Sequence, residues 1–343
     1  MPQHSTGNSS DSPPWVEGYE AARRRVGVID RRGRGRLVVK GGDRRSYLQG
    51  LLTNDIEALG SGLGCYAAYL TAQGRMIADL WVYELGDAIL LTMIADVTAT
   101  VLSKLDQFIF SEDVQIGDVS EAFASIVLVG PQARACVAQV VDDASTIAGL
   151  AEDGNMRTAF RGEPVIVLNV SDCGVPGYEL LVGVGHIEAL RAASVAAGAE
   201  AVPADAVEAL RIEGGVAAFH RDMDEETIPL EAGIEGRAIS QTKGCYVGQE
   251  VIVRVLHRGH GRVARRLVGL VLEATEAPSP GAGVTANSRE IGHVTSSTYS
   301  PALGTAIALA YLHRDFFEVG TRVMVGSTHA VVAALPFVAS ATS

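Results

Sequence analysis

Cys245 lies in the run Lys243-Gly244-Cys245-Tyr246-Val247-Gly248-Gln249-Glu250. A cysteine acts as a nucleophile or metal ligand in its thiolate form, which a nearby cation or a helix start favours. Lys243 is two residues away and a helix is predicted over Gln249 to Val255, so both influences are expected at the sulfur. The run equally suits a small buried cysteine in a tight loop, with Gly244 and Gly248 supplying backbone freedom. Two carboxylates are candidates for proton transfer or for accepting paired N–H groups: Asp79, after Gly74-Arg75-Met76-Ile77-Ala78, and Glu179, in Gly177-Tyr178-Glu179. Tyr66, thirteen positions before Asp79, adds a ring and a hydroxyl. Read alone, Glu179 is a strand-end surface residue and Tyr66 a core aromatic.

Other chemistries lack a signature. The four cysteines Cys65, Cys136, Cys173 and Cys245 show no CxxC or Cys/His spacing, so neither a disulfide framework nor a zinc site is expected. The histidines, His186, His220, His293, His313 and His329 among them, are scattered without ligand spacing, and no metal site is assigned. No GxSxG elbow is present, and Gly60-Ser61-Gly62-Leu63-Gly64 lacks the ending of a phosphate loop and reads as a turn.

Elements that would position these residues follow from periodicity. Strands are predicted at Leu37 to Val39, Leu80 to Leu85, Ala88 to Ile94, Ala124 to Val129, Val165 to Val170 and Tyr178 to Val184. Helices are predicted at Tyr47 to Leu52, Val97 to Phe108, from Pro131, at Ile187 to Ala197 and at Ala204 to Ile212. Beyond Arg266 the pattern becomes short strands alone, at Leu267 to Leu272, Ile291 to Ser296, Thr305 to Leu312, Arg322 to Val325 and Ala330 to Leu335, which favours a small barrel or sandwich. The expected layout is a disordered tail over 1–14, an α+β region over 15–256, a linker over 257–265 and a β-barrel over 266–338.

With 343 residues, 48% of them hydrophobic, the chain can bury a sizeable core, and no apolar run is long enough to span a membrane. The missing secretory pattern and the cysteine usage predict a reducing, cytoplasmic setting. A net charge of −12 makes direct nucleic-acid binding unexpected. Two basic clusters stand against that balance: Arg23, Arg24, Arg25, Arg31, Arg32, Arg34 and Arg36, and then Arg254, His257, Arg258, His260, Arg262, Arg265 and Arg266. Either could meet an acidic partner or an anionic ligand tail, and a solvated basic face is the plainer reading of both.

The Lys243–Glu250 run resembles the signature of the YgfZ-like family, a branch of the glycine-cleavage T-protein superfamily. Tyr47 to Asp55, Arg211 to Gly215, Ile228 to Gly233 and Thr295 to Gly304 are similar to shared superfamily segments. The resemblance implies two interleaved α+β subdomains and a C-terminal antiparallel barrel, ringed around a site for tetrahydrofolate or a folate derivative. It implies that Glu179 grips the pterin, that Asp79 faces the folate nitrogens, that Tyr66 walls the site, and that Gln249 and Glu250 either cap their loop or touch folate from the far side. It also implies an accessory role: with Cys245 and bound folate, the chain would aid assembly or repair of iron–sulfur enzymes, tRNA-modifying ones included. One cysteine cannot hold a cluster of about four ligands, so a partner, a second subunit or glutathione would complete it. The alternative is a folate-dependent aminomethyltransferase or demethylase. Against that alternative, Ala78, Met93 and Val207 replace an Asp, an Asn and an Arg of the transferase pattern.

Overall fold

The computed structural model describes residues 13–258 and 263–339. Twelve residues of the predicted tail and four of the predicted linker lie outside them. The chain begins with α1 (Val16–Arg24), β1 (Gly27–Asp30), β2 (Arg34–Lys40), α2 (Arg44–Gln49), β3 (Gly64–Leu70), β4 (Met76–Glu84), β5 (Ile89–Ile94), α3 (Thr98–Asp106), β6 (Gln115–Asp118) and β7 (Phe123–Val129). It continues with α4 (Ala133–Val140), β8 (Asn155–Phe160), β9 (Glu163–Val170), β10 (Gly177–Gly183), α5 (Ile187–Ala196), β11 (Glu200–Ala201) and α6 (Ala204–Glu213). Short helices α7 (Pro229–Ala232), α8 (Glu235–Ala238) and α9 (Gln249–Val253) follow, the last running into a π-helical turn over 254–258. The final part is all strand: β12 (Arg265–Leu272), β13 (Gly283–Ala286), β14 (Arg289–Ser300), β15 (Thr305–His313), β16 (Arg322–Val325) and β17 (Thr328–Ala333).

These strands form a six-stranded sheet ordered β11-β1-β7-β10-β9-β8, a five-stranded sheet ordered β3-β4-β5-β2-β6, and a closed barrel ordered β12-β15-β14-β13-β16-β17. Every residue of β4 and nearly all of β7 is buried, as expected of strands covered on both faces. One continuous core joins the five-stranded sheet to the inner face of the six-stranded sheet, through Leu37, Leu80, Val127 and Leu168. A second core lies under α4 and α5 on the other face, and a third fills the barrel. Ile212 on α6 packs against Leu267, Ile307, Leu309 and Tyr311, seating the barrel on the helical part.

Polar groups fix that seat. Glu213 accepts from Tyr19 Oη at 2.7 Å and from the Ser300 hydroxyl, and pairs with Arg23. Arg211 donates to Asp222 (2.6 Å), Glu208 (2.6 Å) and Ser296 of β14 (2.8 Å). Buried charges hold where each hydrogen-bonding direction is satisfied, and these pairs tie α1, α6 and β14 together. The fold is the α+β arrangement with a closed antiparallel barrel that the sequence predicts. Sequence reading missed α1, β1, β3, β6, β8, β11, β13 and the short helices α7 and α8. Alanine-rich β3 and polar β8 are poor strands by composition and are formed by their pairing with β4 and β9. No helix of the described residues is long and apolar enough to cross a membrane.

Candidate active site

β3 and β4 run antiparallel with Tyr66 opposite Trp81 and Ala68 opposite Asp79. Side chains at every second position share a face, so this register sets Tyr66, Trp81 and Asp79 side by side. Tyr66 Oη donates to Asp79 Oδ2 at 2.8 Å, and the Tyr66 and Trp81 rings lie 4.7 Å apart between centroids. Burial raises the proton affinity of Asp79 above the ordinary carboxylate range, opposed by the Tyr66 hydrogen bond and the charge of Arg34. Burial, with Asp79 beside it, pushes the Tyr66 phenol well above its usual value. A carboxyl whose proton affinity is raised by burial and whose orientation is fixed is suited to acid–base work.

Tyr66 and Trp81 wall a cavity of about 580 Å³ between the two-sheet part and the barrel, closed on other sides by Gly214–Ala217, Ala232–Ile234, Arg266–Val268 and Phe317–Val319. Gly214, Val216, Arg237 and Pro336 also line an adjoining cavity of about 410 Å³. The wall between them is thin because glycine faces glycine: a Cβ on Gly214 would lie 2.5 Å from Gly174 Cα.

Behind the aromatic pair is a layer of buried charge that sequence reading assigned to solvent. Arg36 is fully buried; the side chains of Arg31 and Arg34 are 12% and 15% exposed. Arg31 donates to Asp172 at 2.7 Å and to Glu179 at 3.2 Å, and its Nη2 lies 2.7 Å from Cys173 Sγ. Arg34 stands 3.8 Å from Asp172 and over the Trp81 ring at 5.2 Å; Arg36 stands 3.6 Å from Glu179. Arg23 is likewise bound to buried Glu213. Only part of the N-terminal cluster is therefore a solvated face. Strand alternation along Arg34-Gly35-Arg36 was the available signal, because polar residues inside an otherwise apolar strand need partners. In the later cluster Arg265 pairs with Glu231 and Arg266 with Glu235, while 259–262 lie outside the described residues.

Glu179, on β10, is 2% exposed and faces this layer. Its Oε1 accepts from Ser125 Oγ at 2.6 Å and its Oε2 from Arg31. Ser125 and Arg31 thus take two of the roughly four acceptor sites of the carboxylate and hold Glu179 in the charged floor. It is linked towards Tyr66 and Asp79 through Arg31, Asp172 and Arg34.

The Lys243–Glu250 run sits elsewhere on the same sheet. Lys243 Nζ donates to the carbonyls of Gln49 (2.6 Å), Leu52 (2.6 Å) and Asn54 (2.9 Å), fastening the 49–54 loop, and burial lowers it to about 8. This corrects the expectation that Lys243 activates Cys245: the ammonium is saturated by backbone oxygens. Cys245 is exposed. Gly248 adopts φ +84° and approaches Thr71 O so closely that a Cβ would lie at 2.5 Å, docking the run on the β3–β4 turn. Gln249 is half-buried and Glu250 exposed; no hydrogen bond or ion pair among the described residues joins either, or Cys245, to Tyr66, Asp79 or Glu179. Lys243→Met is expected to lower unfolding free energy by about 1–3 kcal/mol, from three carbonyls left without a donor, and to leave the iodoacetamide alkylation rate of Cys245 unchanged. A tenfold slower alkylation would show that the ammonium does act on the sulfur. No group of three His, Cys, Asp or Glu among the described residues is placed to hold a metal ion.

Comparison with known proteins gives two family matches, to the GCVT N-terminal domain over residues 2–243 and to the glycine cleavage T-protein C-terminal barrel domain over 265–338. An aminomethyltransferase of Rubrobacter xylanophilus is 32% identical over 294 residues, 86% of this chain and 78% of the relative. One from Listeria monocytogenes is 31% identical over 314 residues, 90% of this chain and 84% of the relative. The glycine cleavage system aminomethyltransferase T of Bartonella henselae superposes with a TM-score of 0.83 at 22% identity, covering 94% of this chain and 89% of that one, and so shares the fold. These relatives, similar over most of the chain, carry the name of a transferase. They overturn the expectation, drawn from the Lys243–Glu250 run, of an accessory factor for iron–sulfur enzymes.

Proposed function

We propose that this chain, which belongs to the glycine cleavage T-protein family, is a tetrahydrofolate-dependent aminomethyltransferase whose reaction takes place in the cavity walled by Tyr66 and Trp81. The observation that carries the reading is the buried Tyr66–Asp79 pair at that wall, a carboxyl of raised proton affinity with its orientation fixed by a phenol.

The site suits a folate on grounds of size and chemistry. About 580 Å³ lies within the range of sites that enclose a ligand of that size, and the walls join aromatic faces to a few polar groups. Trp81 is held from behind, its indole N–H acting on the carboxylate of Asp153. When bound, tetrahydrofolate supplies the amine nitrogens that accept the one-carbon unit. Asp79 then takes or returns the proton at those nitrogens, Tyr66 keeps the carboxyl in one orientation, and the two rings keep water from the reacting face. The Arg31–Asp172–Glu179 layer holds the floor rigid behind them.

Two finer points belong to this reading. Kinship with the YgfZ-like branch rests on the Lys243–Glu250 run and concerns descent alone. Ala78, Met93 and Val207 depart from the transferase pattern, and the donor is accordingly expected to differ from that of a standard T-protein. The test is direct: incubation of the protein with tetrahydrofolate and a panel of aminomethyl donors, whose carbon is already at the oxidation level of the product, following methylene-tetrahydrofolate by absorbance and released ammonia in parallel. Equal formation of both from at least one donor is expected. Absence of product with every donor between pH 6 and 9 would end the proposal.

A further inference from the structure

Arg237 differs from the arginines around it. Arg31, Arg34, Arg36 and Arg266 each have a carboxylate within 4 Å; Arg237 has none among the described residues. Its guanidinium lies over the Tyr66 ring, 5.4 Å from the centroid, and its one side-chain hydrogen bond among the described residues is a long one of 3.4 Å to Ser171 Oγ. It lines both cavities, at the place where the 580 Å³ and 410 Å³ spaces meet. The backbone beneath is fixed, since Asn54 Nδ2 donates to both Arg237 O (2.9 Å) and Tyr66 O (2.8 Å), tying α8 to β3. The guanidinium therefore offers planar N–H donors from a rigid base, one tyrosine ring away from Asp79, in a chain whose net charge is −12.

We propose that Arg237 is the carboxylate anchor of this cavity, binding the carboxylate of a ligand in a two-pronged hydrogen bond and so setting its distance from Asp79. The proposal rests on the transferase reading above and names the ligand chemistry it requires. A guanidinium that keeps its donors free beside an aromatic face matches a carboxylate in shape and charge, and stacking on Tyr66 limits its rotation, so little mobility is lost on binding. The carboxylate has two sources, the glutamyl tail of the folate or an amino-acid donor.

The test titrates p-aminobenzoyl-glutamate and its neutral counterpart p-aminobenzamide into wild type, Arg237→Met and Arg237→Lys, following Trp81 fluorescence, and then measures transfer. Wild type is expected to bind the acid, and Arg237→Met to bind it about tenfold to a hundredfold more weakly, the loss of a charged hydrogen-bonded pair. Arg237→Lys should recover part of the affinity, and the neutral compound should be indifferent to all three. If that loss recurs with tetrahydrofolate and not with tetrahydropteroate, the tail is the source. If instead KM rises about tenfold for carboxylate donors and not for their amides, with kcat held, the donor is the source. Equal binding of the acid by wild type and Arg237→Met, with no such change in KM, overturns the anchor even where transfer is observed. Wild type that binds the acid through Arg237 yet transfers nothing overturns the transferase reading and leaves the anchor.

Discussion

Asp79→Asn is expected to lower transfer by about 10²–10⁴-fold, the usual contribution of a positioned acid–base group, while leaving the protein as stable as wild type or more so. The two halves of this result have one cause. Burial raises the proton affinity of Asp79, so between the ordinary carboxylate pKa and the raised one the folded chain binds more protons than the unfolded chain. Stability contributed by this residue therefore falls as pH rises through that interval, and at neutral pH the charged carboxylate is a burden on the fold. Asparagine removes the charge and keeps an oxygen that accepts from Tyr66 Oη. Activity of wild type should lose its acid limb in the variant, and melting curves at pH 5 and pH 8 should converge relative to wild type. A variant that melts well below wild type with transfer intact would show Asp79 to be structural.

Much of this site was legible in the sequence. Tyr66 and Asp79, singled out together by the family resemblance, stand on the two strands of one antiparallel hairpin, and the four buried apolar residues from Leu80 to Tyr83, with those of β5, marked the strands that hold it. The barrel was readable because its strands alternate and lack intervening helices. What escaped were interactions between segments distant in sequence. Arg31 meets Asp172 and Glu179 across more than 140 residues, and Lys243 reaches carbonyls some 190 residues earlier. Local patterns carry charge and periodicity but not the identity of the partner, so buried arginines read as a solvated cluster and a saturated ammonium as a free cation. The Lys243–Glu250 run misled for the same reason: its reactive composition is used, at Lys243 and Gly248, to fasten loops onto the five-stranded sheet.

The second large effect is expected at Arg31. Arg31→Met should cost about 3–5 kcal/mol of unfolding free energy at pH 7, because it leaves two buried carboxylates with only the longer contacts of Arg34 (3.8 Å from Asp172) and Arg36 (3.6 Å from Glu179); for a chain of this size that is on the order of a 10 °C fall in melting temperature. Asp172 shows the dependence. Its burial alone would raise its pKa, but the charges of Arg31 and Arg34, with hydrogen bonds from Arg31 and Cys173, hold it below the ordinary carboxylate range. A depressed carboxyl contributes stability that is present above its unfolded pKa and lost as pH falls through the folded one, so wild type should gain nothing from mild acid at this residue. In Arg31→Met the main cause of the depression is gone and burial dominates, which raises Asp172. Protonating Asp172 then relieves the stranded charge, and the gap between variant and wild type should narrow from pH 7 to pH 5. Urea denaturation at the two pH values measures this. A gap of equal size at both would mean that Arg31 acts through its packing against β10 and Cys173, and that the buried charge layer is held by Arg34 and Arg36 without it.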